Sequence, residues 1–305
     1  MDIEFSTNTS IEEIVLSDRY NFDIKLFVKR DDLIHPEVSG NKLFKLKYNI
    51  EAAERLGCDR ILTFGGAFSN HIAATAAYCA AKNLKCVGII RGERPKTLNP
   101  TLVQAEALGM KLDFIPREDY RKKDQNDFLQ SLRTKYANAC IIPEGGSNLL
   151  GIEGAMEMLN ESTTKYDYVV VAMGTGTTFA GLVRAASDHQ KVIGLPIHKH
   201  DQLLDDILLV DPTFQHIDPA KYEIVNGYHF GGYAKWTEEL LSFIRQFYEE
   251  TGLKLDPIYT GKAVFGLLDL AQKGRFSLGA KVLFIHTGGI QGVAGFEERF
   301  WVKIY

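Results

Sequence analysis

No stretch of this chain approaches the roughly eighteen uninterrupted apolar residues that a membrane-spanning helix needs. Its opening, Met1-Asp2-Ile3-Glu4-Phe5-Ser6, carries neither a basic segment nor an apolar run, so the expectation is a cytoplasmic protein without a secretory leader. Cysteine is scarce. The four in 305 residues, Cys58, Cys79, Cys86 and Cys140, show no C-x-x-C spacing, which argues against a zinc site or a disulfide framework and predicts buried thiols. No sign of charge dominates either: the net charge is −4, too small for an electrostatic footprint toward nucleic acid or anionic lipid. The basic cluster Arg121-Lys122-Lys123 lies among Glu118, Asp119 and Asp124 and reads as a solvated face. A G-x-G-x-x-G with an acidic residue about 20 positions further on does not follow the first strand-like run, which disfavours a nucleotide-binding oxidoreductase. His198-x-His200 has no third ligand at a persuasive spacing, so no metal is expected.

What is present is a core-forming composition, 45% hydrophobic and 24% charged, enough for one large or two ordinary domains. Short apolar runs alternate with helix-length segments: 60–64, 86–90, 112–115, 140–142, 168–172, 192–195 and 281–286. Strands spaced by helices mean βαβ units and mostly parallel sheets. The first four runs suit one sheet and the last three a second, joined by the chain before Lys42. The expected division is therefore a large domain of residues 1–44 plus 150–305 and a small domain of residues 45–149. Between Pro196 and Gly232 the alternation fails, and an irregular surface is expected there.

Three strings carry chemistry. Gly174-Thr175-Gly176-Thr177-Thr178 joins a buried strand to a helix. Its glycines let backbone N–H groups converge at a helix N-terminus, where the dipole favours an anion. No Gly-Lys-Ser/Thr follows, so the loop is not the Walker type and no triphosphate with magnesium is implied; a Gly/Thr-rich turn can also be merely a tight connection. Lys42 follows Ser39-Gly40-Asn41, which can cap the helix starting there. Such a lysine is commonly surface charge, but an amine held in a site can form a Schiff base with an aldehyde. Ser69-Asn70-His71, after Gly65-Gly66, stands at a strand-to-helix junction. Ordinary capping explains it, and the same geometry receives a carboxylate. An amine, a carboxylate site and a phosphate site are the parts that a pyridoxal phosphate enzyme requires.

Together with Val28 to Leu33, Gly145 to Asn148, Asp256 to Lys262 and His286 to Gly289, these strings resemble the 1-aminocyclopropane-1-carboxylate deaminase and D-cysteine desulfhydrase family. That family is a fold-type-II branch of the pyridoxal phosphate enzymes. The resemblance implies α/β architecture with two open, parallel, Rossmann-like sheet domains of the tryptophan synthase β-like type, and pyridoxal 5′-phosphate as cofactor. It implies that Lys42 is the Schiff-base lysine and that Asn70 meets the phenolic oxygen. Gly174, Thr175, Gly176, Thr177 and Thr178 hold the phosphate, and Thr287 lies near the pyridine ring. Ser69, Tyr233 and Tyr259 face the reaction, with His71 and Thr260 on the substrate side. The chain departs from many relatives at Phe68, where they carry Gln, and at Ala73-Ala74, where they carry Arg-Gln. It is also shorter around Gly92 to Thr101 and Pro196 to Asn226.

Family members that open aminocyclopropane tend to carry Glu and Leu where this chain has Thr260 and Thr287, whereas D-cysteine desulfhydrases carry Thr at both. The expected activity is therefore a carbon–sulfur lyase of the D-cysteine desulfhydrase type. The alternatives are the cyclopropane deaminase and a non-catalytic cofactor-binding relative. The expected partners are a small amino-acid substrate and a second copy of the chain.

Overall fold

Val169, Val170 and Val171 are each 0% exposed, the pattern of a parallel strand covered by helices on both faces. The structure, a computed structural model, describes residues 9–17, 19–199 and 202–305. In chain order its strands are β1 Ile11–Ile14, β2 Ile24–Lys29, β3 Arg60–Gly65, β4 Lys85–Arg91, β5 Met110–Ile115, β6 Ala139–Ile142, β7 Tyr168–Met173, β8 Lys191–Pro196, β9 Tyr222–Ile224 and β10 Ala280–Ile285. The helices are α1 Asn41–Arg55, α2 Asn70–Ala81, α3 Pro100–Ala107, α4 Arg117–Tyr120, α5 Asn126–Lys135, α6 Leu149–Met156, α7 Thr177–Ala185, α8 Leu203–Val210, α9 Glu238–Thr251, α10 Thr260–Gln272 and α11 Gly292–Phe300. Each of the seven apolar runs is a strand.

Six strands form one sheet in the order β1-β2-β10-β7-β8-β9, and four form a second in the order β5-β4-β3-β6. Among the described residues, only the β1–β2 pair is antiparallel. This is the α/β, two-sheet architecture expected from the alternating pattern, and the chain before Lys42 joins the larger sheet. Helix α9 shows how its faces are covered: Leu240, Leu241, Ile244 and Phe247 recur at helical spacing and pack into the core with Leu267 of α10. Phe179, Leu182 and Val183 of α7 cover the opposite face together with Ile152 of α6. In the smaller sheet, Ile72 and Ala76 of α2 pack with Ile61 and Ile90 on one side. Leu62, Phe64 and Ile89 meet Tyr120 and Leu132 on the other. Because the strands run parallel, the loops after β3, β4, β6, β7, β8 and β10 leave from carboxyl edges, where open α/β sheets bind ligands.

Two expectations are corrected. The stretch from Pro196 to Gly232 is not wholly irregular: Leu203 and Ile207, four residues apart, bury one side of α8, and β9 pairs with β8 at the sheet edge. The four cysteines are not all free. Cys58 and Cys140 form a disulfide with Cα atoms 5.8 Å apart across a sequence separation of 82, while Cys79 and Cys86 are buried thiols. The pairing follows from the β3–β6 register, which sets Ile61 against Cys140 and brings the residues just before β3 alongside β6. The basic cluster is a surface feature, with Lys122 and Lys123 bonded to Asp119 and Asp124. No helix among the described residues is long and apolar enough to cross a membrane.

Closing a loop of this length restricts the unfolded chain, so C58S should lower stability under non-reducing conditions by roughly 2–4 kcal/mol. Denaturant midpoints of wild type and variant measure this. Thiol titration of the unreduced, unfolded wild type should count two thiols, and a count of four would remove the disulfide.

Candidate active site

Helix α1 begins at Asn41, within the Ser39-Gly40-Asn41 string expected to cap it. Gly40 occupies the N-cap position at φ 65° and ψ −148°, with no side-chain acceptor. The Ser39 hydroxyl instead donates to the Asp32 carbonyl at 3.0 Å. The cause is close approach: a Cβ on Gly40 would stand 2.0 Å from the Thr287 carbonyl oxygen. The first turn is thus pressed against the chain leaving β10, and the Asn41 N–H points to that same oxygen at 3.4 Å.

This docking delivers Lys42 to a cavity of about 340 Å³. The Lys42 amine donates to Asn41 Oδ1 at 2.8 Å, and Asn41 Nδ2 donates to Thr178 Oγ1 at 2.8 Å. One amide therefore ties the amine to the Gly/Thr loop. Burial lowers the Lys42 pKa to about 8, opposed by the Asp256 carboxylate. The loop itself turns at Gly176 with φ 78°. A Cβ there would fall 2.7 Å from Ile207 Cγ1, so α8 closes the outside of the turn. No side chain caps α7, and its first N–H groups remain available at the positive end of the helix.

Lys45, one turn beyond Lys42, lines the same cavity. It is only 2% exposed, and its Nζ lies 3.5 Å from Thr175 Oγ1. No carboxylate among the described residues pairs with it. Burial first, and the neighbouring Lys42 second, push its pKa well below the usual lysine value. A buried ammonium without a counter-ion is costly. With the uncapped α7 terminus beside it, the set fits a phosphate, and an aldehyde-bearing phosphate would reach both Lys45 and Lys42.

Across the cavity, Ser69 is the N-cap of α2 and accepts from the Ile72 N–H at 3.3 Å. His71 Nε2 lies 2.8 Å from Thr63 Oγ1, whose own hydrogen goes to the Ile142 carbonyl at 2.8 Å. The imidazole must therefore donate from Nε2, which leaves Nδ1 as a buried, unpartnered lone pair. Burial and the two lysines hold His71 neutral. Tyr259 and Tyr233 stand with ring centroids 6.2 Å apart, and burial raises both phenol pKa values, Tyr259 the more strongly. Asp256 sets Tyr259 in place by accepting from the N–H groups of Ile258, Tyr259 and Thr260 at 2.7 to 2.9 Å. The Lys262 amine, also buried, donates to the carbonyls of Ile197, His229 and Gly232 and so anchors the chain beside Tyr233.

Of the residues singled out in the sequence, Lys42, Ser69, Asn70, His71, Gly174, Thr175, Gly176, Thr178, Tyr233, Tyr259 and Thr287 line this cavity. Thr177 and Thr260 do not. Thr177 turns its hydroxyl to Ser147 at 2.9 Å. Thr260 is 0% exposed, and its hydroxyl donates to the Asp256 carboxylate and accepts from the Asp256 N–H. Sequence reasoning missed Lys45, Arg91, Glu144 and His198, which also line it. Lys45 was legible as the i+3 neighbour of Lys42; the others stand at or just beyond the carboxyl ends of β4, β6 and β8. His198 Nε2 lies 3.0 Å from the Gly174 carbonyl, His200 falls outside the described residues, and no group of three metal-ligating side chains occurs among those described.

The family described as pyridoxal-phosphate dependent enzyme matches residues 7–288. The chain is 31% identical over 291 residues to a putative 1-aminocyclopropane-1-carboxylate deaminase of Pyrococcus horikoshii, covering 90% of this chain and 87% of that one. To the protein of the same description from Thermotoga maritima it is 34% identical over 301 residues, covering 93% and 94%. A bifunctional D-cysteine desulfhydrase/1-aminocyclopropane-1-carboxylate deaminase of Arabidopsis thaliana is 32% identical over 302 residues, covering 88% and 73%. The crystal structure of an ACC deaminase homologue superposes with a TM-score of 0.80 at 29% identity, covering 96% of this chain and 93% of that chain. At 18% identity the fold alone is shared with an O-acetylserine dependent cystathionine beta-synthase from Helicobacter pylori, with a TM-score of 0.66 and coverage of 97% and 95%. With its cavity built as described, the chain belongs to the pyridoxal-phosphate-dependent 1-aminocyclopropane-1-carboxylate deaminase and D-cysteine desulfhydrase family, on a tryptophan synthase β-like fold.

Proposed function

We propose that this enzyme catalyses α,β-elimination from a small D-amino acid bearing a β leaving group, with D-cysteine as the representative substrate. D-Cysteine and water yield pyruvate, ammonia and hydrogen sulfide. The observation that carries the reading is the meeting, in one cavity, of the Lys42 amine with its lowered pKa, the open N-terminus of α7 beside Lys45, and the Thr287 hydroxyl.

Pyridoxal phosphate, when bound, supplies an aldehyde for amines and an electron-withdrawing ring that stabilises negative charge at the substrate α-carbon. Lys42 would hold the aldehyde, and its amine, when free, would take the α-proton. Lys45, Thr175, Thr178 and the N–H groups around Gly174 and Gly176 would hold the phosphate, with Thr177 bracing the loop from behind. Asn70 would donate to the phenolic oxygen. Ser69 and the α2 N-terminus receive the substrate carboxylate, and His71 keeps its lone pair toward the same wall. Thr287 would offer the pyridine nitrogen a neutral hydroxyl rather than a carboxylate, which would moderate the electron sink. That suits elimination, where the leaving thiolate carries the charge away. Tyr233 and Tyr259 keep their phenolic protons through the physiological range and offer one to the departing sulfur. The division into domains of residues 1–44 with 150–305 and of residues 45–149 belongs to the same proposal, because the cavity is then the cleft between them. A second reading, opening of the aminocyclopropane ring to 2-oxobutyrate and ammonia, draws support from the descriptions of the archaeal and bacterial relatives.

Borohydride reduction of the yellow holoenzyme should leave the pyridoxyl group on the peptide containing Lys42, and K42R should lose at least about 10³-fold in turnover. A modified Lys45 or Lys262 would overturn the assignment. Only the unprotonated amine takes an aldehyde, and burial brings its pKa down from 10.5 to about 8. Cofactor capture by the apoprotein should therefore rise with pH, pass half-maximum near that value and level off above it. A flat profile between about pH 6.5 and 9.5 would contradict this. Finally, sulfide with pyruvate from D-cysteine should form at least about tenfold more efficiently than 2-oxobutyrate from aminocyclopropane carboxylate. The reverse preference would establish the second reading.

A further inference from the structure

A second cavity, of about 350 Å³, adjoins the first, and the two share Gly66, Asn70, Arg91 and Tyr233 as walls. Three exposed arginines from separate elements line it: Arg91 from the end of β4, Arg117 from the start of α4 and Arg299 from α11. None of the three donates a hydrogen bond or pairs with a carboxylate among the described residues. Their neighbour Arg94 behaves differently, bonded to Glu106 at 2.9 Å. Arg299 and Arg91 are held instead by aromatic rings. The Arg299 guanidinium lies 5.1 Å from the ring centroids of both Phe68 and Phe300, and Arg91 lies 5.7 Å from that of Tyr120. A ring fixes a guanidinium through its charge and its plane while leaving the N–H edge free to donate.

The one carboxylate in the wall of this second cavity does not cancel the charge. Asp256 lines it, yet its oxygens already accept from three backbone N–H groups and the Thr260 hydroxyl. Phe68, Ile258 and Phe296 supply apolar wall beside the cations. In the reading above, the amino-acid carboxylate is received at the α2 terminus. The arginines are then surplus to recognition of the amino-acid head.

We infer that this cavity is the receptor for a second anionic group, a carboxylate, sulfonate or phosphate, at the far end of the substrate side chain, with Arg91 setting its reach from the first cavity. The inference rests on the proposed elimination and extends its substrates beyond D-cysteine to D-amino acids whose β substituent ends in an anion.

The test compares binding and turnover. Calorimetry measures succinate against butyrate, with methylsulfonate- and phosphate-ended analogues of the same length as further arms, on both cofactor-loaded and cofactor-free protein. Succinate should bind at least about tenfold more tightly than butyrate, since charged bidentate contacts are the strong ones. R299Q and R91Q should each reduce that preference severalfold, and R133Q, an exposed change on α5, should not. In the loaded enzyme, pyruvate release from S-carboxymethyl-D-cysteine should exceed that from S-methyl-D-cysteine in kcat/KM, with the difference lying mostly in KM and shrinking in R299Q. In both cases the Cβ–S bond breaks with its electron pair on sulfur. Equal binding of succinate and butyrate, or a preference that survives both arginine changes, would overturn the inference. A protein that stays colourless with cofactor would overturn the elimination reading instead, and the binding arm on cofactor-free protein still decides the cavity.

Discussion

The arrangement depends on one backbone contact, that of Gly40 with the Thr287 carbonyl. The chain arriving there is already fixed. Lys29 and Asp31 form a buried ion pair closed by Thr9, and the Asp31 carbonyl accepts the Gly40 N–H at 2.9 Å. From that point α1 runs from the edge of the larger sheet toward the smaller one. No residue with a Cβ fits at position 40 without parting these segments, and parting them would carry Lys42 away from Thr178 and Asp256 together.

The same geometry concentrates uncompensated charge. Lys42 and Lys45 stand a turn apart in the cavity wall, Lys42 disfavouring protonation of Lys45 and both disfavouring that of His71. Lys262 shows how the fold treats a buried lysine whose role is structural: it gives that amine three carbonyl partners. Lys45 has only a distant threonine hydroxyl. The contrast separates an amine that builds the fold from one that awaits an anion, and the residual instability lies at the ligand site, where function commonly keeps it.

The strands were legible because parallel strands buried on both faces leave continuous apolar runs, as in Val169 to Val171. The Gly/Thr loop and Ser69-Asn70 were legible because anion-binding helix starts have local chemistry. What stayed hidden depends on contacts distant in sequence. The Cys58–Cys140 pairing follows from strand order, not from spacing. The string Ser39-Gly40-Asn41 was legible as a helix start, but not that its cap position belongs to Gly40, the residue small enough to meet Thr287. Thr260 sits in a recognisable string, yet which way its hydroxyl turns was decided by Asp256. Arg91, Arg117 and Arg299 are ordinary surface arginines until the fold gathers them.

A cavity whose walls are divided between two sheets makes its occupant a structural member. A ligand bonded to the α7 loop on one side and the α2 start on the other adds its binding free energy to the cohesion between them. Free cofactor at about 100 times its dissociation constant is worth roughly 2.7 kcal/mol against unfolding. The population open to proteolysis falls by a corresponding factor, so that cofactor occupancy and resistance to unfolding rise together.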